Sequence, residues 1–164
     1  MTIKYAMVID TRTCIGCGDC VVACKTENKT PVGLNRDWVV EATRGTWPDL
    51  RTEFRSERCN HCSNATCVTL CPTGASHYWR DSNIVLVEAN KCTGCKACIA
   101  ACPYDARLIM HPDGYIDKCT FCHHRVEKGL DPACVSTCPT QCMHFGILND
   151  PGSKVSQLLR TRNY

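Results

Sequence analysis

Cys92-Thr-Gly-Cys95-Lys-Ala-Cys98-Ile-Ala-Ala-Cys102-Pro103 is the stretch of the sequence that decides the fold. Two residues separate each of the first three cysteines, and three residues separate the third from a fourth that directly precedes a proline. A loop with this spacing can curl around one metal centre, because Gly94 lets the backbone approach closely. The spacing is typical of [4Fe–4S] ligation, in which the fourth cysteine of the run binds a second, neighbouring cluster.

Sixteen of the 17 cysteines fall into four such groups. The groups are Cys14-x2-Cys17-x2-Cys20-x3-Cys24 (group one), Cys59-x2-Cys62-x4-Cys67-x3-Cys71 (group two), Cys92-x2-Cys95-x2-Cys98-x3-Cys102 (group three) and Cys119-x2-Cys122-x11-Cys134-x3-Cys138 (group four). Tight and loose groups alternate, which predicts two ferredoxin-like units, either in tandem or with one embedded in the other. Four [4Fe–4S] clusters are therefore expected. The remaining cysteine, Cys142, is expected to be a small buried apolar residue.

The composition favours metal over disulfides as the element that holds the fold together. Leu, Ile, Val and Phe make up only about a fifth of the chain, which is little for a conventional core. A disulfide scaffold is disfavoured because the cysteine count is odd, many cysteines lie two residues apart, and no signal-type apolar stretch opens the sequence. Group four alone also fits a zinc site, but its three neighbouring groups favour a cluster there.

Charge and hydropathy argue against nucleic-acid binding and against a membrane span. The formal net charge of +3 counts cysteines as neutral, whereas each loaded cluster with its four thiolates adds roughly −2 and brings the total to about −5. Nucleic-acid binding is therefore not expected. No run of about 18 apolar residues occurs, so no membrane span is expected and any membrane association would need a partner.

The remaining pattern predicts an α+β fold of short helices and β-hairpins, stapled by clusters. A strand is expected at 5–9, and hairpins are expected where 76–79 meets 84–87 and where 108–110 meets 115–116. Short helices are expected at 20–29, 65–71, 96–102 and 132–138. The cysteine-free excursion at 30–58 is expected to pack over a cluster or against a partner. The polar tail from Asp150 shows no strong feature.

The sequence shows no independent catalytic site. No nucleophile–base arrangement and no phosphate-binding glycine loop appears. His61, His123 and His124 lie within groups two and four, but cysteine already supplies every ligand position, so these histidines are expected to lie beside the clusters or at the surface. The spacing alone leaves open whether group one pairs with group two or with group four.

The chain resembles the iron–sulfur subunits of molybdenum or tungsten bis-pterin oxidoreductases of the dimethyl sulfoxide reductase superfamily. It is most similar to the polysulfide, thiosulfate and dimethyl sulfoxide reductase type. The stretches that carry the resemblance are Tyr5-Ala-Met-Val-Ile-Asp10, Ala23-Cys-Lys-Thr-Glu-Asn28, Arg58-Cys-Asn-His-Cys62, Cys71-Pro-Thr-Gly-Ala75, Ala101-Cys-Pro-Tyr-Asp-Ala-Arg107, Asp117-Lys-Cys-Thr-Phe-Cys122 and Pro132-Ala-Cys-Val-Ser-Thr-Cys-Pro139.

This resemblance implies how the groups pair: one with four, and two with three, as two lobes of a single protein spanning 1–164. The implied ligands are Cys14, Cys17, Cys20 and Cys138 for cluster a; Cys119, Cys122, Cys134 and Cys24 for cluster b; Cys59, Cys62, Cys67 and Cys102 for cluster c; and Cys92, Cys95, Cys98 and Cys71 for cluster d. Some relatives lack the second cysteine of group three and hold a [3Fe–4S] cluster. Cys95 occupies that position here, so four complete cubanes are expected.

The resemblance also implies the partners. The protein would be a non-catalytic subunit that carries electrons between a large molybdopterin or tungstopterin catalytic subunit and a polytopic, quinone-reactive membrane anchor. It would be peripheral, held at the membrane by its partner, and either the periplasmic or the cytoplasmic face fits. The alternative is a polyferredoxin-like carrier for a hydrogenase or a formate dehydrogenase.

Overall fold

The structure is a computed structural model that describes residues 2–161. Its helices are α1 (Asp19–Asn28), α2 (Thr66–Thr69), α3 (Ala97–Ala100), α4 (His123–Val126), α5 (Ala133–Thr137) and α6 (Lys154–Thr161). Its strands are β1 (Tyr5–Ile9), β2 (Asp37–Thr46), β3 (Asp49–Arg58), β4 (Ser76–Tyr78), β5 (Val85–Val87), β6 (Leu108–Ile109), β7 (Ile116–Asp117) and β8 (Met143–Ile147). Within the described range the strands pair as β1–β8, β2–β3, β4–β5 and β6–β7. Short helices and small sheets make this a mixed α+β fold, as the sequence predicts.

The β1–β8 ladder joins the two ends of the described chain. The two strands run antiparallel, from the pair Tyr5↔Ile147 to the pair Ile9↔Met143. Helix α6 packs on β8, and its Val155 is fully buried. Helix α1 likewise packs against α5. The first and fourth cysteine groups therefore lie side by side, although most of the sequence separates them.

The cysteine-free excursion forms a long two-stranded ribbon. Strands β2 and β3 pair over ten residues, with Asp37 opposite Arg58 at the base and Thr46 opposite Asp49 at the tip. The base is buried, whereas Trp47 at the tip is 84% exposed. Because alternate residues of a strand point to the same face, the even-numbered residues of β3 near its base share the face that packs on group one.

Groups two and three are framed by the two predicted hairpins. Strands β4 and β5 pair through Ser76↔Val87 and Tyr78↔Val85, and β6 and β7 pair through two residues each. Helix α2 of group two packs against α3 of group three. A small aliphatic core lies beneath them and includes the fully buried Ile84.

Two expectations from the sequence need correction. The tail from Asp150 is not featureless, because it forms α6, whose apolar side covers β8. The helices of cysteine groups two, three and four are four or five residues long, shorter than predicted. Helix α1 is the long one, and it continues to Asn28 as the absence of a proline after Cys24 predicts. In residues 2–161 no helix is both long and apolar enough to cross a membrane.

Candidate metal centres

The group-one thiols surround a cavity between their loop and the end of group four. Its lining includes Cys14, Cys17, Cys20, Cys138 and also Cys142. Cys20 and Cys142 are buried, whereas Cys17 is exposed. Thiols from both ends of the sequence therefore face the same small space.

The loop of group one can take this shape because two of its residues have no side chain. Gly16 and Gly18 adopt φ values of 70° and 79°, a left-handed conformation that favours glycine. A Cβ atom on Gly16 would lie 2.5 Å from the ring of Phe54. The ribbon strand β3 therefore presses directly on this loop, so Gly16 serves close packing as well as backbone curvature.

A second cavity lies one helical turn further along α1. It is lined by Cys24, Cys119, Cys122 and Cys134, all of which are buried. Cys24 reaches it because it lies one helical turn beyond Cys20, which faces the first cavity. Burial raises the pKa of the Cys119 thiol to about 12 and that of Cys134 to about 11. Thiols this deeply buried become thiolates at neutral pH only with a cation beside them.

Cysteines of groups two and three also approach each other. The pKa of Cys62 is raised by burial and by its neighbours Cys59, Cys67 and Cys102. The last of these comes from group three, so the fourth cysteine of one group again lies near the thiols of another.

Two other thiols of groups two and three, Cys71 and Cys92, accept hydrogen bonds from backbone amides. Ser76 N–H donates to Cys71 Sγ and Ile116 N–H donates to Cys92 Sγ, each at 3.4 Å. Cys98 is buried close to Cys92, and Cys95 is exposed. Hydrogen bonds of this kind stabilise a cluster's ligand sulfurs.

Three buried cations lie among the thiols, and the sequence reasoning did not find them. Arg58 and Arg107 are each 6% exposed, and Lys118 is 1% exposed. Burial alone would lower the pKa of Arg58, but Cys134 and Cys119 beside it raise that pKa above its usual value. Lys118 Nζ donates to the carbonyl of Cys119 at 2.7 Å and to that of Val85.

The buried cations have few anionic partners of their own among the described residues. Asp37, at the base of the ribbon, is the carboxylate that acts on Arg58. Several buried cations with thiols around them match a bound group that carries negative charge, as an iron–sulfur cluster with four thiolates does. The sequence contains a signal for two of these buried cations, because Arg58 and Lys118 each directly precede the first cysteine of a loose group.

The arrangement differs from that of a single-ion site. Within residues 2–161, no three His, Cys, Asp or Glu side chains converge closely enough to hold one metal ion. The thiols of groups one and four line two cavities instead. The histidines lie beside the thiols, as expected: buried His61 stacks on Phe121 with ring centroids 3.8 Å apart, and its Nδ1 accepts a hydrogen bond from Val85 N–H at 3.0 Å. His124 contacts Glu27 at the surface.

Comparison with known proteins decides the family. Two family profiles, both described as "4Fe-4S dicluster domain", match residues 50–148 and 13–75. Protein NrfC of Escherichia coli (strain K12) is 44% identical over 162 residues, which are 98% of this sequence and 73% of that protein. One of the polysulfide reductase proteins of Wolinella succinogenes is 41% identical over 165 residues, 99% of this sequence and 86% of that protein. The arsenate respiratory reductase iron-sulfur subunit ArrB of Shewanella sp. (strain ANA-3) is 36% identical over 206 residues, 96% of this sequence and 87% of that protein.

The chain belongs to the iron–sulfur subunits of the dimethyl sulfoxide reductase superfamily. This iron–sulfur subunit carries four [4Fe–4S] clusters, because dicluster profiles cover all four cysteine groups. The thiols, the backbone amides that point at them and the buried cations fit that cofactor.

Proposed function

We propose that this iron–sulfur subunit relays electrons through its four clusters between a molybdopterin or tungstopterin catalytic subunit and a quinone-reactive membrane anchor. The observation that carries the proposal is the juxtaposition of thiols from groups one and four around two adjacent cavities. Bound clusters supply one-electron carriers, and the protein's own residues hold them, insulate them and balance their charge.

The proposed ligands follow the crossover pairing. Cluster a takes Cys14, Cys17, Cys20 and Cys138, and cluster b takes Cys119, Cys122, Cys134 and Cys24. Cluster c takes Cys59, Cys62, Cys67 and Cys102, and cluster d takes Cys92, Cys95, Cys98 and Cys71. The two thiol-lined cavities support the first two sets, and the mutual influence of Cys62 and Cys102 supports the third. The contact of α2 with α3 supports the fourth. Groups two and three would then form one lobe, embedded in a second lobe made by groups one and four.

The four ligand sets follow one another along the proposed relay in the order a, b, c, d. Sets a and b share α1, because Cys20 and Cys24, one helical turn apart, line the two neighbouring cavities. Lys118 connects sets b and c, since Cys59 and Cys119 are the thiols with the largest effect on its pKa. Sets a and d each include an exposed cysteine, Cys17 and Cys95, whereas every thiol of set b is buried.

Partners would dock at the two ends of this series of clusters, which are clusters a and d. Apolar side chains are exposed near both: Ile15, 59% exposed, beside Cys17, and Leu70, 55% exposed, beside Cys71. A relay needs its terminal centres near the surface and its inner ones shielded. The relatives are named as parts of a polysulfide reductase and of an arsenate respiratory reductase, which supports a separate catalytic partner. The subunit would then be peripheral to the membrane, and the substrate chemistry would take place in that partner.

Purification from native membranes tests this function. The tagged protein should co-purify with a large protein that contains molybdenum or tungsten and with a polytopic membrane protein. Adding a quinol to the complex should reduce its clusters, as followed by electron paramagnetic resonance, and adding the catalytic subunit's oxidant should reoxidise them. A native protein isolated as a free, active monomer would contradict the proposal. Co-purification with a hydrogenase would favour the polyferredoxin alternative.

A further inference from the structure

The inner face of β3 carries three consecutive even-numbered residues, each against a different part of the group-one and group-four sites. Phe54 packs on Gly16, Ser56 contacts Cys20, and Arg58 contacts Cys134. The period of two in a strand puts these three side chains on one face. Ser56 is 3% exposed and Arg58 is 6% exposed. Two polar side chains are therefore buried over thiols that belong to two different cavities.

Their contacts form one continuous series of hydrogen bonds. Arg58 Nη1 donates to Cys134 Sγ at 3.1 Å, and Nη2 donates to Ser56 Oγ. Ser56 Oγ lies 3.3 Å from Cys20 Sγ. A serine hydroxyl has one proton to donate and two lone pairs that accept. When Cys20 is a ligand thiolate it has no proton to donate, so the Ser56 hydroxyl, whose oxygen accepts from Arg58, donates its proton to Cys20.

We infer that Arg58 and Ser56 form a bridge that raises the reduction potentials of two clusters, cluster b directly and cluster a through Ser56. The inference rests on the proposed ligand sets, in which Cys134 belongs to cluster b and Cys20 to cluster a. Reduction adds negative charge to a cluster, and a hydrogen bond or a nearby cation at a ligand sulfur stabilises that charge. The guanidinium is permanently protonated, so its charge does not vary with pH.

The geometry explains why arginine is needed at this position. Only a planar fork with several donors can reach Cys134 and Ser56 at once. Arg58 Nη1 also lies 3.1 Å from Met7 Sδ, while its Nε has no hydrogen-bond partner within the described residues. Lysine would keep the charge but supply a single donor atom. Arg58 and Ser56 are positioning residues that act on the clusters through the ligand sulfurs.

The test compares four variants in the loaded protein: Ser56→Ala, Arg58→Lys, Arg58→Gln and the control Arg55→Gln. Arg55 lies on the same strand with its side chain 57% exposed, bound to Glu57. The readouts are iron and acid-labile sulfide content, followed by a redox titration monitored by electron paramagnetic resonance. Ser56→Ala should lower one of the four midpoint potentials. Arg58→Gln should lower two, Arg58→Lys should lower the same two by less, and Arg55→Gln should lower none.

Two results would overturn the bridge. One is a fully loaded Arg58→Gln protein whose four potentials equal those of the wild type. The other is a Ser56→Ala protein in which all four potentials are unchanged. If Arg58→Gln fails to take up iron, this Ser56→Ala measurement decides the question. Failure of the proposed function would look different, because the wild-type protein would then lack the catalytic and membrane partners while its potentials still responded to these variants.

Discussion

The sulfur atoms of Cys138 and Cys142 lie 3.4 Å apart, although Cys142 belongs to none of the four groups. The turn that follows the last cysteine of group four can be compared with the corresponding turn of group two. Cys138-Pro-Thr-Gln-Cys142 corresponds to Cys71-Pro-Thr-Gly-Ala75, and in both turns the threonine hydroxyl lies 3.7 Å from the first cysteine's sulfur. Cys142 is buried, as expected, but it is not simply an apolar residue, because it lines the group-one cavity.

Replacing Cys142 by alanine gives group four the residue that group two has at the corresponding position, Ala75. We expect Cys142→Ala to keep its full iron content and to lower the potential of cluster a, because two thiolates in contact repel and Cys142 therefore acts as a protonated donor to Cys138. A hydrogen bond is worth about 0.5–1.5 kcal/mol net, so its strengthening on reduction shifts the potential by at most about 65 mV for one electron. A redox titration measures the shift, and Cys142→Ser should restore part of it. Loss of about four iron atoms in Cys142→Ala would instead make Cys142 a ligand.

The fully buried Lys118 is influenced by both Cys59 and Cys119, which the proposed ligand sets assign to clusters c and b. We expect Lys118→Met to lower the potentials of both clusters, because a unit charge several ångströms away in a medium of effective dielectric constant about 20 contributes about 2 kcal/mol, or about 80 mV for one electron. The exposed Lys128, ten residues further on, supplies the control Lys128→Met. Unchanged potentials in a fully loaded Lys118→Met protein would show that the lysine only satisfies the carbonyls of Val85 and Cys119.

The crossover pairing predicts an asymmetric result for Cys24. Although Cys24 is the last cysteine of group one, we expect Cys24→Ser to disturb the cluster held by group four and to spare the cluster held by Cys14, Cys17 and Cys20. Up to about four of about sixteen iron atoms should be lost. Cys17→Ser is the matched counterpart and should disturb the other cluster. Mössbauer and electron paramagnetic resonance spectra distinguish the two, and loss of the group-one cluster alone in Cys24→Ser would rule out the crossover.

Removal of iron should unfold the protein. Aliphatic side chains are scarce, and buried Arg58, Arg107 and Lys118 would remain close together without the anionic groups that balance them. We expect most of the far-ultraviolet circular dichroism to disappear in step with the cluster absorbance when a chelator is added under reducing conditions. A helical and stranded signal that survives complete loss of iron would contradict this expectation.

The sequence predicts the local elements best. The hairpins β4–β5 and β6–β7 could be predicted because short apolar runs flank turn-forming residues, and the length of α1 could be predicted because no proline follows Cys24. Strand β8 was not predicted, because it pairs with β1, more than a hundred residues away. The ribbon was missed because its strands are mostly exposed and polar and lack a clear alternation of apolar residues.

The candidate site, like the fold, has parts that the sequence predicts and parts that it does not. The four groups follow from spacing, since ligands of one loop must be close in sequence. Ser56 and Arg58 do not follow from spacing, because the register of β3 against β2 is what sets them over Cys20 and Cys134. The place of Cys142 could not be predicted, because only the folded turn brings its sulfur against that of Cys138.

The closing ladder between β1 and β8 has a consequence for biosynthesis. Under the proposed ligand sets, every ligand of clusters c and d has been synthesised once Cys102 has been added to the nascent chain. Clusters a and b must wait for Cys138, and β1 has no partner until β8 has emerged. The lobe of groups two and three could therefore receive its iron earlier in translation than the lobe of groups one and four. Each nascent protein would thus hold the thiols of its first group unfilled until Cys138 has been synthesised.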